Sequence, residues 1–290
     1  MKAFFSALPD EIYLSEVNIP GTHDSCTAFC SMENVCRCQS LTIKEQLELG
    51  IRLFDIRLYK SGKDFYLCHA IADCFTDSDK KKKLSFDDVL SDFRGFLKNN
   101  PEETLVVSVK QDRGIINRWF FPAFYERHLV GNEKEWYLEN ENPTLSECRG
   151  KMVLMRRCKV FPWWGKDKNC GLDFSHWRDQ GSKFREKIYN VKLNKNQKAT
   201  VQDRYGLAPL RKWEKCEKPF IEKCRCDKNN LNVHFISTAY RYKGESLVKT
   251  AEEMNSLFKS CDLAEKKGWF LFDFPDEEII EKFEIKEKTV

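Results

Sequence analysis

The sequence predicts an α/β domain, a barrel of parallel strands with helices outside, occupying residues 1–290 as a single unit. Apolar, β-branched runs alternate with helix-spaced segments from end to end, and seven or eight such strands recur. Alternation implies parallel pairing through crossover helices, and that many parallel strands in one domain favour a closed barrel. Neither an internal repeat, a Pro-rich linker nor a low-complexity tract divides the chain.

Taken in order, Val17–Ile19 reads as a strand running into the Pro20-Gly21 turn. Ile43, Leu47 and Leu49 give Thr42–Leu49 a helical spacing that Gly50 stops. Ile51–Leu58 and Phe65–His69 are strands. Phe86, Val89, Leu90, Phe93 and Leu97 share one helical face, ended by Asn99-Asn100-Pro101. Thr104–Lys110 is an apolar strand, and helix signals follow across Trp119–Leu129. Lys151–Arg157, Ala199–Gln202, Asn232–Ser237 and Gly268–Phe272 supply further strands, with a helix over Glu245–Phe258 before the last. The polar, weakly patterned stretch Asp167–Lys198 reads as long surface loops.

Composition narrows the functional classes. With 41% hydrophobic and 32% charged residues the chain has the apolar mass for a large core. Its 49 basic residues nearly balance 45 acidic ones, leaving a net charge of +4. That balance gives no reason to expect a nucleic-acid partner and is compatible with an anionic membrane surface. No apolar run nears the ~18 residues needed to span a bilayer. The Ala3–Leu8 patch is cut short by Pro9, Asp10 and Glu11, too brief for a secretory leader, so a cytoplasmic location is favoured unless a leader has been removed. Thirteen cysteines include the pairs Cys36/Cys38 and Cys224/Cys226, with Cys26, Cys30 and Cys216 near them. Zinc sites more often use a two-residue spacer, and no nearby histidine completes a set; scattered thiols in a reducing interior are expected. Lys80–Lys83 reads first as a solvated loop, with contact to anionic headgroups as the alternative.

Barrel enzymes gather their chemistry at the carboxyl ends of the strands. Those positions hold Gly21-Thr22-His23-Asp24-Ser25, Phe54-Asp55-Ile56-Arg57 and Leu67-Cys68-His69-Ala70. Later ones hold Ser108-Val109-Lys110, Arg156-Arg157, Val201-Gln202-Asp203-Arg204-Tyr205 and Phe272-Asp273. Two histidines, an arginine and carboxylates at one rim suit phosphoryl transfer. One imidazole takes a proton from the attacking hydroxyl and the other gives one to the leaving oxygen. The guanidinium neutralises the phosphate oxygens. Either histidine alone would be read as a packing residue; placement after strands changes that. His128, His176 and His234 lack such placement and are read as structural.

The stretch Ile19-Pro20-Gly21-Thr22-His23-Asp24-Ser25, with Leu53-Phe54-Asp55-Ile56-Arg57, resembles the X-domain of bacterial phosphatidylinositol-specific phospholipases C. Weaker matches at Leu67-Cys68-His69, Pro101-Glu102-Glu103-Thr104, Val201-Gln202-Asp203 and Gly268-Trp269 keep family order from about residue 8 to about 280. The resemblance implies an irregular TIM-type (β/α)8 barrel and a first step in which the inositol 2-hydroxyl expels diacylglycerol to give inositol 1,2-cyclic phosphate. It implies His23 as general base assisted by Asp273, His69 as general acid oriented by Asp24, and Arg57 on the phosphate. Lys110, Arg157 and Asp203 would bind inositol hydroxyls and Tyr205 would stack on the ring. The implied substrate is phosphatidylinositol or its glycosylated form at a membrane surface, met by a monomer in peripheral contact. Calcium-dependent relatives carry Asn after the first histidine and acidic residues where Arg57 stands, so no metal or other cofactor is expected.

Departures from the family pattern are Ala70, where glycine is usual, and Arg156-Arg157, either of which could face the pocket. Trp163 and Trp164 could insert at a bilayer interface or pack beneath their loop. Competing readings are a metal-dependent glycerophosphodiester or sphingomyelin phosphodiesterase, a catalytically silent inositol-phosphate- or lipid-binding module, and a cysteine-rich metal-binding scaffold. Sensitivity to chelation, binding without turnover, and zinc content would reveal each in turn.

Overall fold

The computed structural model describes residues 4–115, 117–165, 168–178, 180–181, 188–240, 246–263, 265 and 267–283. Its strands are β1 Ile19–Thr22, β2 Leu53–Ser61, β3 Asp64–His69, β4 Ala72–Asp73, β5 Leu105–Gln111 and β6 Trp136–Tyr137. They continue with β7 Met152–Arg156, β8 Leu172–Asp173, β9 Tyr189–Lys192, β10 Lys198–Gln202, β11 Asn230–Phe235 and β12 Trp269–Phe272. Parallel pairing runs β10-β11-β12-β1-β2-β5-β7. The helices Ile43–Leu49, Phe86–Asn99, Phe120–His128 and Leu247–Lys259 lie in the connections.

Local chemistry explains most boundaries. Ser85 and Thr42 cap their helices by accepting from the Asp88 and Glu45 amides. Gly50 takes the left-handed conformation that ends the second of these. In β5 Leu105, Val106, Val107 and Val109 are fully buried, as expected of a strand covered on both faces. The first strand starts at Ile19, not Val17, because Asn18 Oδ1 accepts the Lys267 and Gly268 amides and holds the chain out of the ladder until there.

The closed barrel expected from the strand count is not completed. Beyond β7 the next position is filled by two dipeptides from separate parts of the chain. β6 pairs with Met152 and Val153, and β8 with Met155 and Arg156, along the same edge. The Gly171 amide joins them by donating to the Leu138 carbonyl. Two residues carry too few backbone groups for a ladder, and among the described residues none joins β6 or β8 to β9, the strand that covers the free edge of β10 antiparallel to it. Side chains span part of the gap: Asn140 Nδ2 donates to the Leu193 carbonyl at 2.7 Å, and Gln180 Oε1 accepts the Asp203 amide at 2.6 Å. The stretch 167–198, expected to be loops, therefore contributes β8, β9 and several buried side chains; its residues 167, 179 and 182–187 lie outside those described.

At the amino end of the barrel Arg52 Nε donates to Glu103 Oε2 at 2.6 Å, both groups buried. Glu103 Oε1 also accepts the Phe4 and Phe5 amides, drawing the first described residues against the barrel floor. All thirteen cysteines are free thiols, twelve of them buried. The tetralysine is neutralised within the protein, Lys80 on Glu33, Lys81 on Asp79, Lys82 on Asp88 and Lys83 on Asp73.

Candidate active site

β1 delivers His23 and Asp24 because Gly21 lets it lie close to β2: a Cβ there would sit 2.8 Å from the Leu53 carbonyl oxygen. The chain then turns at Asp24, whose φ of +45° is left-handed, a conformation tolerated by Asp and stabilised here by the folded surroundings. The turn carries the buried Asp24 carboxylate under both imidazoles. Asp24 Oδ2 lies 3.1 Å from His23 Nε2, 3.4 Å from His69 Nε2 and 2.9 Å from Arg57 Nη1. The His23 and His69 rings stand edge to face with centroids 6.2 Å apart.

The proton positions follow from the partners. His23 Nδ1 is 2.8 Å from Asp273 Oδ1, a carboxylate that can only accept, so Nδ1 carries the hydrogen. Nε2 is left with its lone pair, facing Arg57 Nη2 at 2.7 Å. Burial pulls the His23 pKa down, but Asp273 and then Asp24 outweigh it, and the net shift is upward. His69 Nδ1 donates to the Cys36 carbonyl at 2.8 Å, directing Nε2 toward Asp24. That carbonyl, besides Asp24, sets the ring. Ala70, immediately after, has φ of +50°, which accounts physically for a preference for glycine at this position.

Arg57 and the fully buried Asp55 alternate on β2 and so share a face. Asp55 Oδ2 accepts from Arg57 Nε at 3.0 Å and Oδ1 from Arg157 Nη1 at 2.9 Å. Burial alone would raise the Asp55 carboxyl; Arg57 and Arg157 reverse that and hold it well below the usual carboxylate range. Asp112, just past β5, is held low in the same way by Arg57 and Lys110 against its burial. Lys110 Nζ lies 2.6 Å from Asp112 Oδ1.

Arg157, not Arg156, faces this rim, with its guanidinium 3.8 Å above the Trp177 ring. Arg156 turns away, paired with Asp173 and lying over Phe121. Asp203 is raised by burial, with Lys212 and Arg157 opposing, and the Tyr205 hydroxyl approaches Gly181. The structure brings His23, Asp24, Arg57, His69 and Asp273 together, with Lys110 joined to them through Asp112 and Arg157 through Asp55, while Asp203 and Tyr205 follow the end of β10. Sequence reasoning placed Asp55 at a strand end but gave it no role, and missed Asp112, Trp177 and the Cys36 carbonyl. For Asp55 a signal existed: two charges alternating on one face of an otherwise apolar strand need each other as partners. The others come from loops with no pattern.

Each CxC pair does have a histidine in space, Cys38 Sγ being 3.9 Å from His69 Nδ1 and Cys224 Sγ 3.8 Å from His234 Nε2. Among the described residues, His23, Asp24 and Cys38 are the one group of three or more donors close enough for a metal ion, their ligand atoms within 4.8 Å of one another. They fit an ion poorly: the Arg57 cation already faces His23 Nε2 and pairs with the Asp24 carboxylate, and burial pushes the Cys38 thiol well up, away from the thiolate a metal requires.

Two imidazoles and a guanidinium at the carboxyl rim of an α/β barrel are the groups with which a phosphoryl group can be moved by acid–base chemistry. The PI-PLC X family model matches residues 10–148. A 1-phosphatidylinositol phosphodiesterase of Staphylococcus aureus (strain Newman) is 28% identical over 295 residues, covering 93% of this chain and 87% of that protein. One of Listeria monocytogenes is 29% identical over 166 residues, covering 53% of this chain and 48% of its own. Solved phosphatidylinositol-specific phospholipase C structures share the fold. One from S. aureus has TM-score 0.78 at 24% identity, covering 96% of each chain, and the L. monocytogenes structure has TM-score 0.74 at 22%, covering 97% of this chain and 96% of its own. Residues 10–148 thus match the PI-PLC X family model, and the chain over most of its length is similar to 1-phosphatidylinositol phosphodiesterases.

Proposed function

We propose that this chain is a phosphatidylinositol-specific phospholipase C that cleaves its phosphodiester with its own side chains as acid and base. The observation that carries the reading is the pair of imidazoles 6.2 Å apart about the Arg57 guanidinium, with one carboxylate, Asp24, touching all three. The inositol 2-hydroxyl gives its proton to His23 Nε2 as its oxygen bonds to phosphorus. Asp273 and Asp24 stabilise the imidazolium so formed. The bond from phosphorus to the diacylglycerol oxygen breaks, and His69 Nε2 supplies that oxygen's proton. Inositol 1,2-cyclic phosphate and diacylglycerol leave, and water attacking the cyclic ester reverses the two roles.

Arg57 holds Nη2 beside His23 and Nη1 beside Asp24, and its planar fork suits the non-bridging phosphate oxygens. Asp55 fixes both Arg57 and Arg157, so the phosphate and inositol ends of the pocket share one anchor. Lys110, Arg157 and Asp203 bind the inositol hydroxyls and Tyr205 covers the ring. Phosphatidylinositol, free or glycosylated, is met at a membrane surface by a monomer.

The test is incubation with phosphatidylinositol vesicles in excess chelator, followed by phosphorus NMR. Inositol 1,2-cyclic phosphate should appear first and decay slowly to the acyclic ester. Activity abolished by the chelator, or tight headgroup binding without turnover, would overturn the reading in favour of a metal-dependent diesterase or a silent binding module.

A further inference from the structure

We infer that the loops after β5 and β7 form the surface on which this protein sits on an anionic bilayer, with Trp119 and Trp163 as the rings that enter the interface. The inference rests on the reading above that a membrane lipid is the substrate. Among the described residues, four of the eight exposed large apolar side chains lie on the loops of this rim: Ile71, Ile115, Trp119 and Trp163, at 75%, 86%, 57% and 65% exposure. Scattered single residues would need no explanation; a cluster on one side of the mouth does.

The rings are held rather than loose. Trp119 meets Phe161 at 4.9 Å and Trp163 at 5.9 Å between centroids, and Phe161 stacks on Trp163 at 5.5 Å. The tryptophan pair divides its work: Trp164 turns inward onto Phe121 and Tyr125, while Trp163 faces out. Arg113 Nε donates to the Ala70 carbonyl, tying the turn that bears Ile71 to the β5 loop beside His69.

Charge selects the occupant. Neither 113–119 nor 157–165 contains an Asp or Glu; Arg113 and Arg157 there pair with Asp73 and Asp55, while Arg118, 5.7 Å over the Phe161 ring, and Lys159 add positive charge beside the tryptophans. Tryptophan beside Arg118 and Lys159 is the composition of a membrane–water boundary with anionic headgroups. The tetralysine, by contrast, is already paired with carboxylates. The ridge also adjoins the mouth: the β5 loop begins at Asp112 and the β7 loop at Arg157, so a bilayer resting there brings its headgroups to Arg57.

The experiment compares the wild type with Trp119→Ala, Trp163→Ala and the double variant. Sedimentation uses phosphatidylcholine vesicles containing phosphatidylglycerol, which need not be cleaved to be bound. Hydrolysis is followed on phosphatidylinositol vesicles and on a water-soluble inositol phosphodiester. Each substitution should weaken vesicle affinity by roughly tenfold, with vesicle hydrolysis falling in step and soluble hydrolysis unchanged. Vesicle affinity of the double variant within about twofold of wild type would overturn the inference. So would a concentration-dependent dimer that the substitutions dissolve while vesicle binding persists. Vesicle binding lost on substitution, in a protein without turnover on either substrate, would sustain the surface and defeat only the catalytic reading.

Discussion

Asp24 Oδ2 lies within 3.4 Å of His23, His69 and Arg57, and its backbone is left-handed. One carboxylate therefore reaches both imidazoles and the guanidinium, and each histidine is completed by a different outer partner. If His69 is the acid, His69→Ala should cut lipid cleavage by about 10²–10⁴-fold, with a much smaller loss on a substrate whose leaving group needs no proton. Parallel rates on a lipid and an aryl phosphodiester check this, and equal losses would remove His69 from the role. His23 must be neutral to accept its proton, so activity falls as pH drops through its pKa. That pKa is raised, which puts the acidic limb of kcat/KM above the ordinary histidine value of about 6.5. Asp273→Asn removes the largest of the raising interactions, so the limb should move to lower pH while kcat falls. A pH–rate profile with an unmoved limb would contradict the pairing.

Elements set the precision of that cluster. β1 is four residues long and ends in the turn that presents His23 and Asp24, so its seating on β2 positions both. Gly21→Ala should force Leu53 aside, destabilise the fold by about 1–3 kcal/mol and lower kcat about 10²-fold through displacement of the turn. Urea unfolding and steady-state kinetics measure the two, and an unaltered kcat would show that the turn does not depend on this contact. The long strands and helices were legible because each carries a strong period: β5 is apolar throughout, and Phe86–Asn99 has a one-sided face with a Ser85 cap. β6, β8 and β9 were not legible. Two to four residues hold too little pattern, and their pairing is fixed by distant partners.

For the molecule as a whole, the two ends of the barrel divide stability from chemistry. The buried Arg52–Glu103 pair and its hold on Phe4 and Phe5 lie at the end opposite the histidines. Glu103→Gln leaves the Arg52 charge buried and uncompensated, so the unfolding free energy should fall by about 3–5 kcal/mol. The kcat/KM of the folded protein should stay within about twofold, since the floor takes no part at the rim. A large loss of kcat/KM in fully folded protein would show that the floor also shapes the site.

The sequence by itself determined the alternating α/β order, the strand ends where polar groups meet solvent, and the set of residues that the X family resemblance marks. These are local properties, carried by periodicity, capping residues and short motifs. Only the tertiary structure decided which of Arg156 and Arg157 faces the rim, that Asp55 anchors two arginines, that a backbone carbonyl holds His69, and that the sheet stays unclosed between β8 and β9. Each depends on groups far apart in sequence meeting at hydrogen-bond distance, and no local pattern encodes such a meeting.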